Sequence, residues 1–157
     1  MDGERNAAYW EANAETWTRH ARAGYDVYRD HVNTPGFLAM LPPVAGLLGL
    51  DIGCGEGGNT RALARLGARM EALDIAPTFV EHAREAERRE PLGITYHLGD
   101  AQALPFPDGR FDFATAFMSL MDVPDYRDLA RRPGHSDVQA VLRAGQVIYW
   151  RGGLILD

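Results

Sequence analysis

The feature that most constrains the fold of this chain is a glycine-rich stretch after an apolar run, at residues 47–60. The apolar run ends at Ile52, four of the next six residues are glycine, and helix-forming sequence begins at Asn59. This order predicts a strand, a tight turn and a helix. Glycine suits such a turn because it accepts positive φ angles and lets a ligand approach the main chain where no Cβ intervenes. The stretch therefore predicts a loop that binds a nucleotide cofactor.

Two carboxylates border these glycines and narrow the class of ligand. Asp51 lies two residues before the first glycine, and Glu56 lies inside the loop. A dinucleotide-binding loop presents a helix N-terminus to a pyrophosphate, and acidic side chains disfavour that group. The charges favour a cationic ligand. Gly53, Gly55 and Gly58 nevertheless satisfy the fingerprint of nicotinamide-dependent oxidoreductases, which stay an alternative.

The pattern Asp51-x-Gly53-x-Gly55-x-Gly57 resembles motif I of the class I S-adenosylmethionine-dependent methyltransferases. The cofactor of that family carries a sulfonium and an ammonium group and no phosphate. The resemblance is strongest over residues 47–112. It implies S-adenosyl-L-methionine as the cofactor and methyl transfer to a small-molecule acceptor as the activity.

Two more acids follow predicted strands. Asp74 ends the second strand, at the separation from the glycines at which doubly wound folds place the acid that binds a ribose diol. The same side chain could instead cap the helix that starts at Pro77. Asp100 follows the third strand, where the resemblance implies contacts from Asp100 and the Ala101 N–H to adenine. The full set of expected cofactor-binding residues is Asp51, Gly53, Cys54, Gly55, Asn59, Asp74, Ile75, Asp100, Ala101 and Phe117.

Helices and strands alternate along the chain, which predicts an α/β fold with a parallel sheet and right-handed crossovers. Helices are predicted over residues 6–21, 34–41 and 59–66, and a fourth begins at residue 77. The first predicted strand ends at residue 52, and the others cover residues 69–74, 94–98 and 111–117. The resemblance implies a Rossmann-like, doubly wound, mostly parallel sheet with strand order 3-2-1-4-5. We expect one domain over residues 1–157, with an N-terminal helical cap over 1–45 and the core over 46–157.

The last part of the chain departs from the family pattern. Residues 147–150 are predicted as strand 5, residues 131–136 break the helix that should precede it, and the family's final strands 6 and 7 are missing from the sequence. Strand 5 would then be an exposed edge, and exposed edges invite pairing. We therefore expect self-association through this strand and poor methyl transfer. The alternative is a truncated or divergent S-adenosylmethionine-binding module without full catalysis.

The N-terminal cap supplies candidates for the acceptor side of the site. Trp10 and Trp17 share one face of the first helix, and the mixed aromatic and polar segment after it contains Tyr25, Tyr28 and His31, which we take as lid or substrate residues. Many small-molecule methyltransferases of this type carry histidine after the fourth strand, where this chain has Met121 and Asp122. No catalytic residue is assigned from the sequence.

Charge and composition exclude several other functions. The net charge of −6 argues against nucleic acid as a partner. Cys54 is the only cysteine and the five histidines are widely spaced, so we expect no disulfide and no metal site. The N-terminus lacks the features of a signal peptide, and the longest apolar run is too short to span a bilayer, so we expect a cytoplasmic protein without membrane contact.

Overall fold

The computed structural model describes residues 3–123, 139–143 and 146–150. The α-helices are α1 (Gly3–Arg22), α2 (Thr34–Ala39), α3 (Gly58–Arg65) and α4 (Pro77–Arg89). The strands are β1 (Leu48–Ile52), β2 (Arg69–Asp74), β3 (Thr95–Leu98), β4 (Phe113–Ala116), β5 (Gln139–Arg143) and β6 (Gln146–Trp150). A π-helix covers Arg29–Asn33, and 3₁₀ helices cover Ala101–Ala103 and Leu120–Asp122.

The strands form one sheet in the order β3-β2-β1-β4-β6-β5, and β3, β2, β1 and β4 run parallel. The predicted Rossmann-like order 3-2-1-4 is therefore confirmed. β1 lies between β2 and β4, and its last four residues are buried, as expected of a central strand covered on both faces. The chain reverses its direction of winding beside β1, where doubly wound sheets bind their ligands.

Each face of the sheet packs against its own apolar layer. On one face Met70 and Ala72 of β2 join Leu63 of α3 and Val80 and Ala83 of α4, all of them buried. On the other face the buried cluster is Leu50, Ile52, Leu73, Ala101, Ala116 and Leu120. Side chains alternate between the faces along each strand. The core thus holds the carboxyl ends of β1, β2 and β4 in fixed relation.

Of the two strands beyond β4, β6 runs in the opposite sense to β4, and β5, which is antiparallel to β6, runs in the same sense as β4. β6 pairs antiparallel with β4, with Phe113 opposite Trp150, and β5 pairs antiparallel with β6. A strand next to β4 is confirmed, but the prediction that residues 147–150 form an uncovered edge is wrong, since β5 lies on their outer side. β5 ends at Arg143 and β6 begins at Gln146, and so short a connection joins antiparallel neighbours, whereas a parallel strand needs a crossover of a dozen or more residues. The helix break at residues 131–136 lies outside the described residues.

The N-terminal cap is anchored to the core by α1, which contains the helix predicted over residues 6–21. Glu11 accepts hydrogen bonds from the backbone N–H and the hydroxyl of Thr78, at 3.0 and 2.6 Å, in the first turn of α4. Asn6 donates its side-chain amide to the carbonyl of Asp122 at 2.8 Å. These bonds place α1 across the carboxyl edge of the sheet. Among the helices within the described ranges, none has the length and apolar character needed to cross a membrane.

Candidate cofactor-binding site

A cavity of about 510 Å³ opens at the carboxyl ends of β1, β2, β3 and β4, beneath the cap. Its volume lies within the range typical of small-molecule sites. All ten residues predicted to bind the cofactor line it: Asp51, Gly53, Cys54, Gly55, Asn59, Asp74, Ile75, Asp100, Ala101 and Phe117. The cap contributes further lining residues from α1 and from the segment between α1 and α2. The binding role of the ten predicted residues stays a prediction, but the fold brings all of them to one cavity.

The loop between β1 and α3 has three residues with positive φ, namely Gly53, Gly55 and Gly57 at 70°, 56° and 88°. Gly58 is instead the first residue of α3. An ideal Cβ at Gly55 would have no atom within 4 Å, whereas one at Gly57 would lie 2.7 Å from the hydroxyl oxygen of Tyr96. Gly57 is therefore required by packing, and Gly55 borders open space in the cavity. The alternating-glycine motif describes this loop better than the dinucleotide fingerprint.

Asp74 ties this loop to the end of β2. Its Oδ2 accepts from the N–H of Gly55 at 2.8 Å, and its Oδ1 accepts from the N–H of Ala76 at 3.0 Å. Ala76 precedes Pro77, the first residue of α4. Burial raises the pKa of Asp74, and the hydrogen bonds from Ala76 and Gly55 oppose that rise. Asp74 thus holds the residue before α4 rather than an N–H of the helix itself. The carboxylate also borders the cavity with lone pairs left to accept further bonds.

Asp51 is the most enclosed acid of the cavity, at 2% exposure. Its two carboxylate oxygens accept from the hydroxyls of Thr60 on α3 and Thr115 on β4, at 2.6 and 2.9 Å. Burial raises its pKa to about 6, and the two hydroxyl bonds oppose this. Neither threonine was among the residues predicted from the sequence. Thr115 lies opposite Asp51 in the β1–β4 register, so pairing the two predicted strands would have identified it.

The lone cysteine has no ionised role in this setting. Cys54 lines the cavity, and its Sγ lies 3.6 Å from the carbonyl oxygen of Gly55. Burial raises the pKa of its thiol, and the negative charges of Asp74 and Asp51 raise it further. The group therefore remains a neutral thiol and contributes shape and polarizability rather than nucleophilicity.

Asp100 lies where β3 has just ended, at the start of the short helix Ala101–Ala103. Its Oδ1 accepts from the backbone N–H of Gln102 at 2.9 Å, and its Oδ2 accepts from the side-chain amide of the same residue at 3.1 Å. These bonds fix the carboxylate at the cavity wall. Ala101 is buried beside it.

The lid candidates are not where the sequence suggested. Tyr25 and Tyr28 are 74% and 77% exposed, and they do not line the cavity; neither does His31. The residues of this segment that do line it are Asp26, Arg29, Asp30, Asn33 and Thr34. A π-helix follows both tyrosines, over Arg29–Asn33, and in it Thr34 donates its N–H to the carbonyl of Arg29, five residues earlier. The residues of this segment that line the cavity are thus polar rather than aromatic.

The ionisable groups of the cavity are mostly acidic. Arg29 is its basic lining residue within the described part of the chain, and its Nε lies 3.1 Å from Oδ1 of Asp30. The carboxylates that line it are Asp26, Asp30, Asp51, Glu56, Asp74, Asp100 and Asp122. In place of a histidine after β4 the cavity has Asp122, whose pKa is raised by burial. A cationic ligand is favoured over an anionic one. In the same described part, no group of His, Cys, Asp and Glu side chains is arranged to hold a metal ion.

Comparison with known proteins identifies the family. The profile of the family described as "Methyltransferase domain" matches residues 50–134, just over half of the chain. The chain belongs to this methyltransferase family. The match begins inside β1 and includes the glycine loop and the ends of β2, β3 and β4, where the cavity lies.

Curated methyltransferases align with the same region. The ubiquinone biosynthesis O-methyltransferase of Methylocella silvestris is 36% identical over 107 residues, which is 68% of this chain and 40% of that protein. The demethylmenaquinone methyltransferase of Tropheryma whipplei is 38% identical over 60% of this chain and 41% of its own length. The chain thus spans about two fifths of the length of these relatives.

Solved structures show the same fold. An S-adenosylmethionine-dependent methyltransferase from Mesorhizobium loti is similar with a TM-score of 0.59 and 36% identity, covering 65% of this chain and 47% of that one. The [4+2]-cyclase SpnF is similar with a TM-score of 0.55 and 28% identity, covering 59% of this chain and 35% of the cyclase. The methyltransferase fold is therefore shown independently of the motif.

Proposed function

We propose that this chain binds S-adenosyl-L-methionine in the cavity at the carboxyl ends of β1–β4 and supports methyl transfer to a small-molecule acceptor. The observation that carries the proposal is the convergence of the alternating-glycine loop and the acids Asp51, Asp74 and Asp100 on one cavity. The family match and the relatives named as methyltransferases support it.

The residues of the cavity fit this cofactor better than a dinucleotide. S-adenosylmethionine brings a sulfonium and an ammonium, both favoured by neighbouring carboxylates. A pyrophosphate would meet Asp51, Glu56 and Asp74, with Arg29 already paired to Asp30. The space beyond Gly55 leaves its backbone open to a ligand. A nicotinamide-dependent oxidoreductase is disfavoured on these charges.

The assignment of roles follows from the strand ends. We assign Asp74 to the ribose hydroxyls, Asp100 and the Ala101 N–H to adenine, and Asp51 with the glycine loop to the cationic end of the cofactor. When bound, the cofactor supplies a methyl group activated by its sulfonium. The chain's own part is to align the acceptor with that group and exclude water, and alignment alone can supply much of the acceleration. No general base is required by this scheme.

The acceptor is proposed to be a small molecule. The relatives are named for ubiquinone and menaquinone biosynthesis, and a probable tocopherol O-methyltransferase of rice is 35% identical over 50% of this chain and 22% of its own length. Trp10, Trp17 and Phe117 give the cavity an aromatic wall that suits such molecules. The net charge of −6 disfavours nucleic acid. We propose the cytoplasm as the compartment, on the single cysteine and the composition.

Isothermal calorimetry with S-adenosylmethionine, S-adenosylhomocysteine and NAD tests the cofactor assignment. We expect the first two to bind and to raise the melting temperature, because ligands that bind only the native state stabilise it. Binding of NAD alone would refute the assignment.

An S-adenosylhomocysteine-release assay over a panel of phenols and amines then separates the two functional alternatives. Turnover supports a complete enzyme, and binding without turnover supports a module that binds the cofactor only. The likeness to a cyclase makes this second assay necessary, since the fold also serves another reaction.

A further inference from the structure

Met118, just after β4, has an unfavourable backbone conformation. Its φ is 57°, and it is the only residue other than glycine with positive φ within the described ranges. This left-handed region is unfavourable for any residue with a Cβ, and a side chain held there indicates that surrounding structure enforces it. Met118 lines the cavity and is 43% exposed.

Contacts on both sides of Met118 enforce this conformation. The hydroxyl of Ser119 donates to the carbonyl of Ile52 at 2.5 Å, and an ideal Cβ at Gly53 would lie 2.4 Å from the Cβ of Ser119. The ring of Phe117 meets that of Phe37 edge-on, with centroids 4.8 Å apart. Ser119 thus fixes the turn to the glycine loop, and Phe117 fixes it to α2.

The strained turn changes where consecutive side chains lie. In an extended strand, neighbouring side chains point to opposite faces. Here Phe117, Met118 and Ser119 are consecutive and all three line the cavity. Trp10 and Trp17 of α1 line it from the cap. The wall of the one cavity thus contains aromatic rings and a thioether, and Ser119 lies against the first glycine of the loop.

We propose that Met118 is a positioning residue for the acceptor, and that the acceptor presents a planar aromatic ring to its thioether. This inference rests on the proposed function and names the substrate class of the same site. Thioether sulfur packs favourably against the edges of aromatic rings, and a flexible unbranched side chain adapts to the ring it holds. Because Ser119 ties the turn to Gly53, a ring held by Met118 lies beside the loop assigned to the cofactor.

Three variants separate the side chain from the strain. Met118→Gly removes both, Met118→Ala removes the side chain but keeps the strained Cβ, and Met118→Leu keeps an apolar side chain of similar volume. The melting temperature of each variant is measured without ligand. The affinity for 2-naphthol, a planar aromatic phenol, is measured by ligand-observed NMR in saturating S-adenosylhomocysteine, whose own affinity is measured by calorimetry.

We expect Met118→Gly to melt at least about 2 °C above Met118→Ala, because only glycine relieves the strain. Both should lose about tenfold or more in 2-naphthol affinity, while Met118→Leu stays within about threefold of wild type. Equal melting of the Gly and Ala variants, unchanged 2-naphthol affinity in Met118→Ala, or no 2-naphthol binding by wild type would each overturn the proposal. Failure of the wild type to bind S-adenosylhomocysteine would overturn the proposed function itself. If the wild type binds S-adenosylhomocysteine but gives any of the three contrary results above, only the role of Met118 is overturned.

Discussion

At the residue scale, Asp51 links cofactor binding to pH. Its pKa is raised to about 6 by burial, above the value near 4 of an unfolded chain. Between about pH 4 and pH 6 the folded state binds a proton that the unfolded chain does not. The free energy that the ionised, buried carboxylate costs the folded state is therefore fully present above about pH 6 and is lost as the pH falls toward 4. A cationic ligand, in contrast, prefers the ionised form. Stability and binding should therefore respond to pH in opposite directions.

The expected result is a rise of about 1 kcal/mol in the free energy of unfolding of the ligand-free protein from pH 7 to pH 5 on account of this group. Affinity for S-adenosylmethionine should fall over the same interval. Urea unfolding and calorimetry at both pH values check this. Asp51→Asn is the control, because Asp74 and Asp122 also have raised pKa values and their effects remain in the variant. An equal pH response in both proteins would contradict the role of Asp51.

Asp74→Ala should affect both stability and binding. The N–H groups of Gly55 and Ala76 lose their acceptor, and the assigned ribose contact is lost as well. We expect affinity for S-adenosylhomocysteine to weaken by about 1–3 kcal/mol and unfolding free energy to fall by a similar amount, the range for unpaired buried polar groups. Asp74→Asn keeps one acceptor oxygen, so its affinity and stability should lie between those of wild type and Asp74→Ala. Calorimetry showing an unchanged dissociation constant would restrict Asp74 to bracing the loop.

Gly55→Val should abolish cofactor binding. The branched side chain opposes the φ of 56° and projects into the open space of the cavity. Gly46 offers a matched control, since its φ is 80°, an ideal Cβ there also meets nothing within 4 Å, and it does not line the cavity. Gly46→Val should lose stability but keep S-adenosylhomocysteine affinity in calorimetry. Equal losses of affinity in both variants would point to backbone strain rather than to occupation of the site.

At the element scale, α4 receives its N-terminal cap from another helix. Ala76, which precedes the helix, has no side-chain acceptor, and Glu11 of α1 accepts from the N–H and hydroxyl of Thr78 instead. A carboxylate there also suits the helix dipole. Glu11→Ala should therefore lower the free energy of unfolding by about 1–2 kcal/mol, as the loss of a helix cap does. Glu11→Gln, which keeps an acceptor oxygen, should lose less in urea unfolding, and equal stability of Glu11→Ala and wild type would exclude the capping role.

Much of the fold could be predicted from local sequence. β2 spans the predicted residues 69–74, and β1, β3 and β4 lie within or beside their predicted ranges, because apolar runs ended by glycine or aspartate define buried strands. The acids of the site were found because strand ends in a parallel sheet share one edge. Ile75 and Phe117 entered the set through resemblance to the family.

The rest depended on contacts between distant residues. The segment after α1 mixes aromatic and polar residues, and which of them face the cavity depends on how the segment packs. The sequence therefore could not indicate that Asp26 and Arg29, rather than Tyr25 and Tyr28, line the cavity. The apolar run at residues 147–150 indicated a strand but not its direction in the sheet, which depends on the length of the segment that connects it to its neighbouring strand. The strain at Met118 is imposed by contacts that its neighbours Phe117 and Ser119 make with Phe37 and Ile52, which are distant in the sequence.

At the scale of the whole molecule, β5 takes the outermost place beyond β4. Among the described residues, the sheet ends at β3 on one side and at β5, Gln139–Arg143, on the other. Self-association stays our prediction, now through the outer backbone groups of β5 rather than those of residues 147–150. Sedimentation velocity over a wide concentration range should show a concentration-dependent dimer. A single monomeric species throughout would rule this out, and cofactor binding, which uses β1–β4, should be the same in monomer and dimer.

The bonds of α1 also set the order in which this structure can be completed on the ribosome. α1 is synthesised before every other described element, but its partners are made much later: Thr78 follows Glu11 by 67 residues, and the carbonyl that Asn6 holds belongs to a residue 116 positions further on. The docking of the helix therefore cannot be completed until β4 and the turn after it have emerged. During synthesis Trp10 and Trp17 lack their final surroundings until these later elements form, and α1, although made before the other described elements, is among the last to reach its place.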